Sequence, residues 1–286
     1  DFPSEITLGP GQSIMLLNHG MPVRGLDRLV NGRSTFIRAN SDQPVYAASL
    51  AMYAPLDSSG QERAPTLSEW QTLLNTGSFA GPRDKTPTPP DQQGGELIYG
   101  RVAGVQDGST WAATLTDSGS DRLTIPPLDG AIAYGISTLR AGRLGTEQIQ
   151  TASLMMRYPD TAYAAHGNYG VAYELTAPLF NPTATEKTVE IRIATPLKED
   201  TLSADGLRFR MPPLTHPFFR GTVYLEYEEN GEPVNRYVHL WHRAGQPVDP
   251  ILSLTLPAEA QQDVRINLIY PPDSAPPQVL TFQTVD

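Results

Sequence analysis

Between Asn168 and Leu197 the chain alternates apolar and polar residues with a period of two, in two consecutive runs. Val171, Tyr173, Leu175, Ala177 and Leu179 share one face of the first run, and Ala172, Glu174, Thr176 and Pro178 share the other. After a polar stretch from Asn181 to Lys187, Val189, Ile191 and Ile193 alternate with Thr188, Glu190 and Arg192. Such a pattern buries one face of each strand and wets the other. A slip of one residue would expose the whole apolar set, so register is strongly specified. The spacing predicts a hairpin whose apolar face forms a core and whose polar face is solvated sheet. The rest of the chain reads as sheet built around it.

The composition agrees. With 27 Pro and 24 Gly in 286 residues, many short strands joined by turns are expected and long helices are not. The expected fold is all-β: one or two β-sandwich-like domains with a single short helix. Residues 1–160 would form an N-terminal β-rich domain and residues 161–286 a C-terminal β-sandwich, with the boundary near 155–165. The net charge of −10 argues against nucleic acid and against an anionic membrane surface as partners. No apolar run approaches the roughly 18–20 residues of a membrane span. The absence of cysteine removes disulfides, thiolate chemistry, Fe–S clusters and cysteine zinc sites. Residue 1 is Asp and not Met, which a cleaved signal peptide would explain.

Along the chain, strand patterns are read at Glu5–Leu8, Ser13–Leu17, Ser34–Ala39 and Val45–Tyr53, with a turn at Asn31-Gly32. Thr66 and Glu69 have capping-box spacing. Leu67, Trp70, Leu73 and Leu74 then make an apolar stripe, so a helix is predicted over 67–75, ended by Gly77 and plugging one end of a barrel or sandwich with Trp70 as anchor. The Pro- and Gly-rich stretch 78–95 reads as a loop, either a solvated excursion or a binding lid. Further strands are expected at Leu97–Val105, Thr110–Leu115, Arg122–Ile125, Ala131–Leu139, Thr151–Tyr158, Leu252–Leu256, Asp263–Tyr270 and Val279–Val285. A second hairpin is predicted from Arg220–Glu228 and Pro233–Arg243, because Asn230-Gly231 between alternating runs is a strong two-residue turn signal. That turn pairs Val223 with Val238, Leu225 with Arg236 and Tyr227 with Val234 on one surface. Thr222 with His239, Tyr224 with Tyr237, and Arg220 with Trp241 fall on the other.

No chemistry-bearing motif accompanies these strands. The five histidines, His19, His166, His216, His239 and His242, lack metal-site spacing, and His239 and His242 point to opposite faces of one strand. No metal and no cofactor is expected. There is no GxSxG, no P-loop and no GxGxxG. Glu174, Glu190, Glu226 and Glu228 on polar strand faces could supply the carboxylate pair of a glycosidase or be ordinary solvated residues. Asp117–Asp121 reads as an acidic turn or a weak calcium loop. The candidate binding residues are Tyr224, Tyr237, His239 and Trp241, an aromatic and polar surface of the kind sugars and proteins stack on. Beside them stand His166, Asn168 and Tyr169 in a Gly-rich approach to the first run. The competing reading is that another sheet or a loop covers the aromatic surface.

Several phrases resemble a family of exported cyanobacterial proteins that carries only a domain-of-unknown-function label. They are Asn18-His19-Gly20-Met21-Pro22-Val23-Arg24-Gly25, Pro44-Val45-Tyr46, Asn168-Tyr169-Gly170-Val171, Arg236-Tyr237-Val238-His239-Leu240 and Ile269-Tyr270-Pro271-Pro272-Asp273. The resemblance implies a removed signal peptide and a periplasmic or cell-surface location, and it implies no activity. The expected function is a non-enzymatic structural or binding protein of the cell envelope, with an envelope polysaccharide or protein as partner. The alternatives are a carbohydrate-active hydrolase and a subunit of an extracellular or periplasmic homo-oligomer or assembly.

Overall fold

The computed structural model describes residues 4–20, 37, 39–76, 81, 84–92, 94–201, 203, 206–215, 217–246 and 248–285. Among the described residues the elements are one helix, α1 (Leu67–Thr76), and twelve strands. The strands are β1 (Gly104–Gln106), β2 (Thr110–Thr114), β3 (Leu123–Thr124), β4 (Ala131–Ile136), β5 (Leu154–Arg157), β6 (Ala172–Phe180), β7 (Lys187–Ala194), β8 (Pro217–Glu229), β9 (Glu232–Arg243), β10 (Leu252–Leu256), β11 (Gln261–Ile269) and β12 (Gln278–Thr284). The protein is all-β, as the sequence predicts. One sheet has the order β10-β7-β12-β4; the other runs β2-β6-β11-β8-β9, with β3 also on β6. Their inward residues form a single core. Tyr173, Leu175, Val223, Leu225 and Ile266 come from one sheet, and Ile191, Ile193, Leu256 and Phe282 from the other. The arrangement is a β-sandwich. β1 and β5 form a separate two-stranded ribbon.

The first alternating pair is not a hairpin. β6 lies in the six-stranded sheet and β7 in the four-stranded sheet, and no ladder joins them. The alternation itself is real, since Tyr173, Leu175, Ala177 and Leu179 are buried, as are Val189, Ile191 and Ile193. A period of two requires only that each strand bury one face. Two strands facing each other across a sandwich satisfy it as well as two lying side by side. The stretch 181–186 therefore crosses between layers as an arch. The turn from β10 to β11 is a second arch stacked on the first, because β6 pairs with β11 and β7 with β10. Main-chain bonds tie the two together, Asn181 N to Ala260 O at 2.9 Å and Glu259 N to Thr183 O at 3.1 Å.

The second hairpin forms as predicted. Val223 pairs with Val238, Tyr224 with Tyr237 and Arg220 with Trp241. Asn230 and Gly231 take φ of 54° and 80°, the positive values a type I′ turn needs.

The expected division into 1–160 and 161–286 is overturned. β4 pairs with β12, while β2 and β3 lie parallel to β6, so strands from both sides of residue 160 share both sheets. Sequence patterns signal local pairings through turns, whereas these ladders join residues far apart in the chain. Upstream, the strands expected at Glu5–Leu8, Ser13–Leu17 and Val45–Tyr53 do not form. The turn Asn31-Gly32, most of Ser34–Ala39, His216 and Gly77 lie outside the described residues. The helix forms with its capping box: Thr66 N donates to Glu69 Oε2 at 2.7 Å and Glu69 N to Thr66 Oγ1 at 3.3 Å. Arg63 beside Glu69 holds that carboxyl down at about 2. The helix does not plug the sandwich, because Trp70, Leu73 and Leu74 are only half-buried and none joins the core.

Candidate functional site

The outward residues of the six-stranded sheet form a grid that the register defines. One row runs Ala112, Glu174, Asn267, Tyr224, Tyr237 across β2, β6, β11, β8 and β9. The next row runs Thr114, Thr176, Arg265, Glu226, Asn235. Outward side chains are short on β2 and, apart from Glu174, on β6, and tall at Tyr224 and Tyr237 on β8 and β9. This difference in height makes a wide open groove of about 1080 Å³, walled at one end by Pro271 and Pro272.

The aromatic rim comes from the second hairpin. Tyr224 and Tyr237 stand directly opposite, with ring centroids 4.7 Å apart and planes tilted by 34°. Tyr237 is 68% exposed and Trp241 is 44% exposed, so among the described residues nothing covers this surface. The Tyr224 hydroxyl donates to Glu226 at 3.3 Å. Partial desolvation, with the Glu226 carboxylate nearby, pushes its phenol pKa up. Thr222 Oγ1 lies 2.8 Å from His239 Nδ1, and the Arg243 guanidinium sits 5.0 Å from the Trp241 ring. Arg220 is held by Asp273 at 2.6 Å, and Arg265 lies 3.7 Å from Glu226. The face presents fixed aromatic planes between ion-paired and hydrogen-bonded polar groups. A ligand with apolar ring faces and hydroxyl edges matches it.

The other three candidates do not join this rim. Asn168 is buried, and both its side-chain groups are hydrogen-bonded: Nδ2 donates to Gln150 O at 2.6 Å and to Tyr173 Oη at 2.9 Å, and Oδ1 accepts from Ala152 N at 3.3 Å. Its hydrogen bonds serve the fold, and it does not reach the aromatic rim. The cause is a buried polar network of Asn168, Gln150, Ser137 and Tyr173, assembled from segments whose proximity no local pattern reveals. Asn168 also lines a small cavity of about 190 Å³, together with Asp107, Trp111 and Gln150. His166 Nε2 bonds Gly100 O at 2.7 Å, with its ring edge-on to Tyr99. Tyr169 packs on Tyr270 at 5.7 Å and reaches Ser274 O at 3.4 Å. Gly170 next to it lines the groove and takes φ of 83°.

The carboxylates are dispersed. Glu190 is on the four-stranded sheet, bonded to Arg192, whereas Glu174 and Glu226 lie on the outer face of the six-stranded sheet. Among the described residues no group of three or more His, Asp or Glu could hold a metal ion, and no helix is long and apolar enough to cross a membrane. Asp117 accepts from Thr124 N at 3.0 Å as a turn residue. The sequence had already marked the rim. It did not mark the floor, Ala112, Ala172 and Asn267, because these residues come together only through long-range strand pairing.

Fold and face together define a β-sandwich protein with an open, aromatic-rimmed groove on one sheet. The chain belongs to the family described as Protein of unknown function (DUF3370), which matches residues 1–284. Comparison with curated proteins gave no match.

Proposed function

We propose that this is a non-enzymatic, exported protein of the cell envelope, periplasmic or at the cell surface, that binds a polysaccharide in the groove of the six-stranded sheet. The observation that carries the reading is the exposed Tyr224–Tyr237 pair standing beside a wide groove that polar residues such as Glu174, Asn267 and Arg265 also line. Rigid rings offer stacking area at small entropic cost, and a wide groove open to solvent admits a polymer where a closed pocket would take only a small molecule. The resemblance to exported cyanobacterial proteins supports the location. Binding of a panel of envelope polysaccharides, followed by tryptophan fluorescence and calorimetry, tests the reading. Tyr237→Ala and Trp241→Ala should each weaken binding tenfold or more, equivalent to about 1.4 kcal/mol. Equal binding by the parent and both variants, or no binding at all, overturns it. Release of reducing ends during the assay would instead reveal a hydrolase.

A further inference from the structure

The sheet register sets two polar side chains in line with the aromatic pair. Glu174 on β6 faces Asn267 on β11, Asn267 faces Tyr224 on β8, and Tyr224 faces Tyr237 on β9. Directly opposed residues point to the same side of a sheet, so the four stand in one row. All four line the groove. Glu174 is exposed, and among the described residues no hydrogen bond or ion pair reaches its carboxylate or the Asn267 amide. A carboxylate only accepts, whereas an amide both donates and accepts. Side by side they suit neighbouring hydroxyls on the edge of a sugar ring. Adjacent strands lie about 4.8 Å apart, so the three gaps from Glu174 to Tyr237 span about 14 Å. A ligand that engages both ends is longer than one sugar ring and runs across the strands.

Charge decides which polymer fits. Among the described residues the groove is lined by two charged side chains, Glu174 and Arg265. Arg265 lies 3.7 Å from Glu226, whose carboxylate also accepts from the Tyr224 hydroxyl. The arginine is therefore offset, and Glu174 remains as an excess negative charge on a chain of net charge −10. A polymer with a carboxylate or sulfate on each repeat meets repulsion from the site and from the whole chain. A polymer of amino sugars would call for carboxylates at successive positions, and the row offers one. We propose that the groove selects an uncharged polysaccharide, with Glu174 and Asn267 holding its hydroxyls and Glu174 turning away acidic polymers. This specificity rests on the polysaccharide reading of the same groove.

Calorimetry of the full chain against two matched pairs tests it: hydroxyethylcellulose with carboxymethylcellulose, and dextran with dextran sulfate. The parent should bind the neutral member of at least one pair roughly tenfold or more tighter than its acidic partner. Glu174→Gln keeps the shape and removes the charge. It should weaken the neutral polymer about fivefold and bring the two members to within about threefold of each other. Asn267→Ala should weaken neutral binding and leave the ratio unchanged, which separates a lost contact from a lost charge. Both variants should melt with the parent. Equal or tighter binding of the acidic member by the parent overturns the inference, and if Tyr237→Ala abolishes that binding the polysaccharide reading stands. A ratio unmoved in Glu174→Gln also overturns it. So does binding of none of the four polymers, and failure of the envelope panel as well removes the reading beneath it.

Discussion

The Asn181 side-chain amide donates to the Leu256 carbonyl at 3.1 Å, fastening one arch of the sandwich to the other. The same nitrogen reaches Thr185 O at 2.8 Å and Pro257 O at 2.9 Å, while Oδ1 accepts from Thr183 N at 3.0 Å and Thr183 Oγ1 at 2.7 Å. Asn181 is fully buried. Asn181→Ala should cost about 2–3 kcal/mol, because it strands buried carbonyls. Asn181→Asp should also destabilise, since a carboxylate cannot donate. Urea unfolding measures both, and a loss below about 1 kcal/mol for the Ala variant would show that water replaces the amide.

Tyr173 makes the protein sensitive to alkali. Its hydroxyl donates to Gln150 Oε1 at 2.9 Å and accepts from Ser137 N at 3.0 Å and Asn168 Nδ2 at 2.9 Å. Burial pushes the phenol pKa well above its ordinary value. The folded state therefore keeps the proton longer than the unfolded chain, whose phenols ionise near pH 10, and stability falls as pH rises beyond that point. Tyr173→Phe should reduce that slope while costing about 1–3 kcal/mol at neutral pH. An unchanged slope in pH-dependent unfolding would contradict the assignment. Tyr270, also buried with its pKa pushed up, should retain part of the slope.

His242 sets an acid-side dependence. It is buried, and its Nδ1 has no hydrogen-bond partner among the described residues. Burial lowers its pKa below the ordinary 6.5, partly offset by Asp249. Below 6.5 the unfolded chain binds a proton that the folded chain resists. The contribution is therefore complete above 6.5 and is lost as pH falls toward the folded value. His242→Gln should flatten stability between about pH 6.5 and 5. Denaturation midpoints across that range decide it, and parallel curves for parent and variant would refute it.

Filling the groove should separate binding from folding. Ala112 is exposed and borders the groove floor. Ala112→Trp should leave stability within about 0.5 kcal/mol, as surface substitutions do. It should lower polysaccharide affinity by at least the order of tenfold, or about 1.4 kcal/mol. Calorimetry on a variant of normal melting temperature gives the answer, and unimpaired binding would move the ligand off this part of the sheet.

Upstream of the helix the strand patterns at Glu5–Leu8, Ser13–Leu17 and Val45–Tyr53 made no strand. From the helix onward, local information in the sequence carried the long strands of the sandwich and their buried faces, the capped helix and the whole β8–β9 hairpin with its aromatic rim. In each case the determining interactions lie within a few residues: alternation, a capping box, an Asn-Gly turn whose two positive φ values admit one pairing. Tertiary structure alone decided which strands share a sheet. Alternation in β6 and β7 states that each has an apolar face and is silent on whether those faces lie side by side or opposed, and that choice was settled by the stacking of two arches around Asn181. Long-range contacts likewise placed the Asn168 amide in a buried network with Gln150, Ser137 and Tyr173. They also set Ala112, Glu174 and Asn267 in one row with Tyr224, so that the small Ala112 at one end and the tall aromatic pair at the other shape a groove.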